Sequence, residues 1–397
     1  MRVSAQATFK DNVTALQRLQ TTLNDLQQQI ATGRRINRPS DDPLGAARAL
    51  DLQQSITRLD QFDKNINQAT NRLRLQEESL TTVTEFIQRA RELTLQASNA
   101  TQTNETRSFI AVELRGVLDA ALGVANSRDN NGQYLFGGFQ TSVQPYTRTG
   151  DTFTYNGDQG RREVQVGTSR RIADSEAGDR IFGRLREGNG QVVATPAAGN
   201  TGTATINTTN TGRVASYNYE RFTIAFTAPD SFEVRDDGGT VLSSGAFTNG
   251  DEVTIGDFSF TIAGEPETGD AFEIGPSGQT DVFSVIENIA ATLAAGTSNG
   301  QQNPEFQTAM DAGIAGLDQA LQSVLTVRSE TGIRLGVTET ELDNNASTKL
   351  VLQSALADVQ ELDFTEAISA LSQQASVLEA AQQSFVRIQG LSLFNFL

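Results

Sequence analysis

Three clusters hold residue types that could do chemistry. Asp41 and Asp42 set two carboxylates side by side, the pairing that general acid and base work uses. They stand directly before Pro43, and a carboxylate followed by proline also starts a helix: Asp42 suits the N-cap and Pro43 the first helical position. Asp236-Asp237-Gly238-Gly239 resembles a fragment of an acidic calcium loop but lacks the alternating oxygen ligands and the closing Glu, so it reads as a hairpin turn. Arg34, Arg35 and Arg38 form a basic run that could hold an anion. In an acidic chain the favoured reading is pairing with carboxylates of a neighbouring subunit, ahead of a solvated connector.

The rest of the composition removes most catalysts. Among 397 residues there is no His, Cys or Trp, so thiol nucleophiles, imidazole triads, disulfides and Cys or His zinc sites are excluded. No glycine-rich phosphate loop followed by Lys and Ser or Thr exists, and no dinucleotide fingerprint. No enzyme, metal or cofactor is expected. The net charge of -17 opposes phosphate backbones and anionic membranes, so no nucleic acid is expected as a partner. No apolar run is long enough to insert in a membrane, and the first residues lack the basic and apolar regions of a signal peptide. If the protein leaves the cell, it does so by a route that reads no cleaved Sec signal; the absence of Cys fits an extracellular or exported setting.

What the pattern does position is an interface. Leu16, Leu19, Leu23, Leu26 and Ile30 recur at spacings of 3 and 4, and so do Ile368, Leu371, Ala375 and Leu378, with Phe385 one heptad later. Such ladders are the seams of helices that pack on helices, and a lone amphipathic helix is marginal in water. After Gly390 come five large apolar residues, Leu391, Leu393, Phe394, Phe396 and Leu397, an apolar patch that calls for contact with something. With Arg34 and Arg35, these ladder and tail residues are the candidate assembly surface.

The first helix is expected from about Asp11 to Thr32, stopped by Gly33. A second then runs from Pro43 to about Ser98 through Ile56, Leu59, Ile66, Leu73, Leu80, Val83 and Ile87, roughly 80 Å at the helical rise. A shorter one covers Phe109 to Ala125. The C-terminal third mirrors this. A ladder starting at Met310 passes through polar seam positions Arg328, Thr331, Thr338, Asn345 and Lys349, whose partners the sequence leaves open, and breaks at Leu362 to Thr365. A final helix then ends near Gln389, closed by Gly390.

Between the helical thirds, seven short alternating runs predict strands: 152–155, 163–166, 221–226, 231–234, 252–255, 258–262 and 271–274. The fold class is α+β multidomain: a long antiparallel helical bundle or coiled-coil rod formed by both chain ends, with an inserted mainly β domain of sandwich or small-barrel type. The expected divisions are 1–42 with 363–397 as terminal helices that order on assembly, 43–145 with 279–362 as the discontinuous helical rod domain, and 146–278 as the β-rich insert.

Three segments carry a family resemblance. Ala31-Thr32-Gly33-Arg34-Arg35-Ile36-Asn37-Arg38-Pro39-Ser40-Asp41-Asp42-Pro43 resembles the N-terminal connector of the bacterial flagellin family, in the Pro-Ser-Asp-Asp-Pro form of its hook–filament junction members. Asn131-Gly132-Gln133-Tyr134-Leu135-Phe136-Gly137-Gly138 is similar to a signature of those members. Gln389-Gly390-Leu391-Ser392-Leu393-Phe394-Asn395-Phe396-Leu397 resembles their C-terminus more than that of a filament flagellin. The likeness covers roughly residues 1 to 140 and 300 to 397.

The resemblance implies a structural subunit of the bacterial flagellum, extracellular at the hook–filament junction and delivered by type III export for motility. It implies self-association in a ring, contact with a neighbouring hook-associated protein and with flagellin, and an export chaperone at the C-terminal helices. A filament flagellin is the alternative, and a secreted coiled-coil effector or adhesin a more distant one.

Overall fold

The computed structural model of the chain describes residues 2–188, 190–208, 220–255, 258–296 and 304–394. Three helices lead: α1 (Arg2–Thr32), α2 (Pro43–Ala97) and α3 (Asn104–Ala125). Four short strands follow, β1 (Tyr146–Thr149), β2 (Thr152–Tyr155), β3 (Glu163–Gln165) and β4 (Arg171–Ala173), then a π-helical turn at Asp179–Gly183 and β5 (Leu185–Arg186). Next come β6 (Val192–Pro196), β7 (Thr205–Thr208), β8 (Phe222–Ala228), β9 (Ser231–Asp236) and β10 (Val241–Ala246). The β region closes with β11 (Glu252–Ile255), β12 (Phe258–Ala263), β13 (Ala271–Pro276) and β14 (Gln279–Thr280). Three helices finish the chain: α4 (Val282–Ala295), α5 (Pro304–Gln360) and α6 (Phe364–Phe394).

Contacts divide the chain into two compact units, residues 65–340 and residues 1–64 with 341–397. In the first, α2, α3, α4 and α5 share one apolar core. Leu80 and Ile87 on α2, Leu114 and Leu118 on α3, Ile286 and Leu293 on α4 and Leu317 on α5 are all at 1% exposure or less. The α4 helix was not foreseen from the sequence. It is apolar nearly all round, so neither a helical nor a strand period stands out, and its start is marked only by Asp281, which accepts the Ser284 N–H at 2.8 Å. α5 admits α4 closely because Gly313 faces Ile289: a Cβ there would lie 2.5 Å from that side chain.

The same core takes in the first strands. Phe136, Tyr146, Phe153, Phe182 and Phe283 interlock, with Tyr146 and Phe283 ring centroids 5.0 Å apart and Phe136 and Phe182 meeting edge to face at 5.7 Å. Burial pushes the Tyr155 phenol up to about 12, and its hydroxyl donates to the carbonyls of Phe136 and Asp158. Burial raises the Tyr146 phenol further still.

A separate core begins at Val192. A five-stranded sheet in the order β10-β9-β8-β13-β6 and a three-stranded one in the order β11-β12-β7 enclose Ile206, Ile224, Phe226, Phe260, Ile262, Phe272 and other buried apolar residues. All neighbouring strands are antiparallel. Each of the seven expected runs overlaps a strand. The Asp236–Gly239 segment is the β9–β10 turn: Gly239 has φ +80 and Asp236 Oδ1 accepts the Thr240 N–H at 2.7 Å.

The polar seam finds its partners inside the chain. In residues 65–340, Arg328 on α5 pairs with Glu77 on α2 at 2.6 Å and Thr338 meets Thr70 at 3.1 Å. In the other unit, Asn345 donates to Asp63 at 3.2 Å and Lys349 pairs with Asp60. Matched polar pairs at intervals fix the register of two long antiparallel helices, a task apolar residues perform less selectively. One helix end differs from expectation: α6 continues through Gly390 to Phe394. Glycine stops a helix by adopting the left-handed conformation, and Gly390 is not among the glycines with positive φ.

Candidate functional site

The candidate site is the paired chain ends, and their geometry starts at the two breaks. Gly33, at φ +68, ends α1 and turns the chain sharply. The connector then forms a short antiparallel bridge with the break before α6. Arg35 N–H donates to Gln360 O at 2.8 Å, Leu362 N–H donates to Gly33 O at 3.1 Å, and Arg34 stands opposite Glu361. Arg35 also sends its guanidinium to Val359 O at 3.0 Å, satisfying a terminal carbonyl of α5 at the negative end of that helix, and lies 3.4 Å from Asp42. Within the chain its guanidinium thus meets both a carbonyl and a carboxylate. Arg38 donates to Gln28 at 3.2 Å.

The acidic pair is structural. Asp41 accepts the backbone N–H groups of Asn37 and Arg38 at 3.1 and 2.8 Å, and Asp42 accepts that of Gly45 at 2.9 Å, capping α2. Gly45 is required there, since a Cβ would lie 2.4 Å from Asp42 Oδ2 and 2.6 Å from Ile36. At the opposite break Asp363 caps α6 by accepting from Thr365 and Glu366 at 2.8 and 3.1 Å.

Beyond the breaks α1 and α6 lie side by side. Leu16, Leu19, Leu23, Leu26 and Ile30 are all half-buried along α1. On α6 the covered positions are Ala367, Ala370, Leu371, Gln374, Leu378, Ala381 and Phe385. Ile368, at 52% exposure, and Ala375 fall outside this seam, on an outer stripe shared with Phe364 and Val386. Two apolar stripes one residue apart satisfy almost the same spacing, which is why sequence alone joined residues from both. The Phe9 and Phe385 rings approach at 5.5 Å, and a cavity of about 190 Å³ lies between Leu16, Leu19, Ala381 and Phe385. Leu391, Leu393 and Phe394 are in the last turn of α6; Phe396 and Leu397 lie outside the described residues.

The contrast with the central core is the informative feature. No ladder leucine of α1 reaches the near-zero exposure of Leu114 or Leu317, so the helix pair leaves part of its own seam in water. Among the described residues there is no cluster of carboxylates suited to a metal ion, and no helix is long and apolar enough to cross a membrane.

Residues 3–141 match the family model for the bacterial flagellin N-terminal helical region. Flagellar hook-associated protein 3 of Escherichia coli (strain K12) is 26% identical over 397 residues, covering 100% of this chain and 99% of that one. The crystal structure of Xanthomonas campestris FlgL is 31% identical, covers 77% of this chain and 99% of its own, and superposes with a TM-score of 0.72. The chain belongs to the flagellar hook-associated protein 3 family. Membership distinguishes it from filament flagellins such as flagellin 1 of Proteus mirabilis, which is 30% identical but over 36% of this chain. The crystal structure of the flagellar junction protein FlgL from Legionella pneumophila, 26% identical with a TM-score of 0.70, covers 79% of this chain.

Proposed function

We propose that this chain is a non-catalytic structural subunit that joins the flagellar hook to the filament, and that its paired ends are the assembly device. The observation that carries this is the half-covered α1–α6 seam, with the outer stripe of Ile368 and Ala375 beside it. A seam covered on one side gains by acquiring another helix, and the apolar area that remains wet is the driving force for association.

In this reading the subunits form a ring, held by the α1 ladder, the α6 ladder, Arg34, Arg35 and the apolar tail, between a neighbouring hook-associated protein and flagellin. The terminal helices, residues 1–42 and 363–397, pair loosely in the monomer and become fully ordered on assembly. A loosely paired end also suits passage through an export channel without a cleaved Sec signal, with a chaperone covering α6 in the cytoplasm and the final location outside the cell.

Deleting the chromosomal copy tests this. The expected result is cells that build hooks and shed flagellin into the medium; normal filaments on such cells would refute it.

A further inference from the structure

Phe139 is 64% exposed, yet the loop that carries it is tightly built. Asp158 Oδ1 accepts the Phe139 N–H at 2.9 Å and the Gly160 N–H at 2.8 Å, and Gly137 O accepts the N–H groups of Gln140 and Asp158 at 3.2 and 3.3 Å. Gly138, at φ +70, turns the chain where a Cβ would lie 2.2 Å from Asp158 Oδ1. The ring itself lies on Gly160, where a Cβ would stand 2.0 Å from it. An apolar ring fixed in this way and left in water has the form of an interface anchor: large, aromatic and ordered before binding.

The same unit holds an apolar recess of about 280 Å³ between α4, α5 and strands β5 and β6. Val285, Ile289, Gly313 and Gly316 are buried members of its lining and Arg186 and Asn288 exposed ones, an apolar floor with a polar rim. The volume suits one side chain, since a cavity of about 150 Å³ holds benzene and drug-sized ligands take about 300 Å³ or more. Phe139 does not reach the recess of its own chain. Gln159, beside Gly160, donates to Asp179, and the next residue, Arg180, pairs with Glu330 on α5. The recess ends at Gly316 of that helix, about 20 Å away at the helical rise.

We propose that Phe139 of one copy inserts into the α4–α5 recess of a second copy of this chain. Phe109 is equally exposed, but it stands on the side of α3, where the adjoining turns of the helix meet the rim before the ring reaches the floor. Charge permits the approach. A net charge of -17 sets copies against one another, whereas Asp158 and Arg161 flank the ring and Arg186 and Glu187 line the recess, one charge of each sign on either side. A knob on one face and its recess on another make a head-to-tail contact, the kind that repeats into rings or filaments. The inference rests on the reading that copies self-associate, and it names a surface for that besides the terminal ladders.

The test is photo-cross-linking of the full chain at high protein concentration, with p-benzoylphenylalanine in place of Phe139, of Phe109 or of Ile368 on the outer stripe of α6. Each is mixed with isotope-labelled chain, so that mass spectrometry separates links between copies from links within one. The probe at Phe139 should join the labelled copy within residues 285–292 or 309–316. Its yield there should fall at least tenfold when the labelled copy carries Ala312→Trp, which fills the recess from an exposed position. An unchanged thermal midpoint certifies that variant as folded, and Asn288→Trp on the α4 wall decides if it is not. Equal yield on the folded variant, links from Phe139 only to other surfaces, or links to the recess from Phe109 instead overturn the proposal. Links between copies from Ile368 with none from Phe139 overturn this contact alone; none from any position overturns self-association with it.

Discussion

Leu23→Ala and Leu114→Ala remove the same atoms from two different settings. Leu114 is 0% exposed between α3 and its neighbours, and truncation of such a leucine costs about 2–5 kcal/mol through lost transfer energy and the cavity left behind. Leu23 sits half-buried on α1. Full burial of a leucine contributes about 1.5–3 kcal/mol, so the partial burial of Leu23 amounts to about 1–2.5 kcal/mol, with no closed cavity to add to it. That loss falls on the α1–α6 pair, in the unit separate from residues 65–340.

Denaturant unfolding of the monomer, combined with hydrogen exchange read peptide by peptide, separates the two effects. Leu114→Ala should lower the midpoint clearly. Leu23→Ala should leave it almost unchanged while speeding exchange in α1 at least about fivefold, the equivalent of about 1 kcal/mol or more. The same variant should lose more in assembly than in monomer stability, because assembly covers what the monomer leaves wet. If Leu23→Ala lowered the midpoint as much as Leu114→Ala, the ends would be part of one cooperative core and the half-covered seam would have no special role.

Gly33→Ala places a side chain at φ +68, a strain of about 1–2 kcal/mol, and should speed amide exchange at Arg35 and Leu362; the Phe364 ring, 3.5 Å from the added carbon, leaves room, so Gly33→Asn should recover part of the loss. Arg35→Ala removes the α5 carbonyl partner from a half-exposed site, so exchange near Gln360 should rise with little change in global stability. Glu176, 1% exposed between Arg180 and Arg334 at 2.9 Å each, should on change to Gln cost about 1.5–3 kcal/mol in thermal unfolding, because its charged hydrogen bonds are weakened while Glu330 still pairs with both arginines. The Arg180 hydrogen bond holds the Glu330 carboxyl below its ordinary value of 4.5. Its folded form therefore favours the charged state, and the stability it adds is complete above that value and lost as pH falls through the folded one. The midpoint difference between unchanged chain and Glu330→Gln should shrink as the solution is acidified.

Much of this was legible before the coordinates. Helix periods, Asp42 before Pro43, Gly33 and the alternating runs located most of α1, α2, α3, α5 and α6 and seven strands, because each carries a local signal. What escaped was what only packing decides. α4 has no polar face to reveal its period. β6, β7, β10 and the short strands β1, β4, β5 and β14 are held by neighbours more than by their own pattern. On α6, Leu371, Leu378 and Phe385 were found in the seam, whereas Ile368 and Ala375 were not, since adjoining stripes differ by a rotation that spacing does not resolve. The polar seam was visible as a pattern, but its pairing of Arg328 with Glu77 and Asn345 with Asp63 depends on the register of two helices far apart in sequence.

The most direct test of the junction account is electron microscopy of seeded growth on isolated hook ends that carry the other hook-associated protein, with purified chain and flagellin added in turn. The account predicts a short cap of this chain that flagellin then extends, and no cap from a chain truncated after Leu362. Long filaments from this chain alone, or an unimpaired cap from the truncated chain, would contradict it.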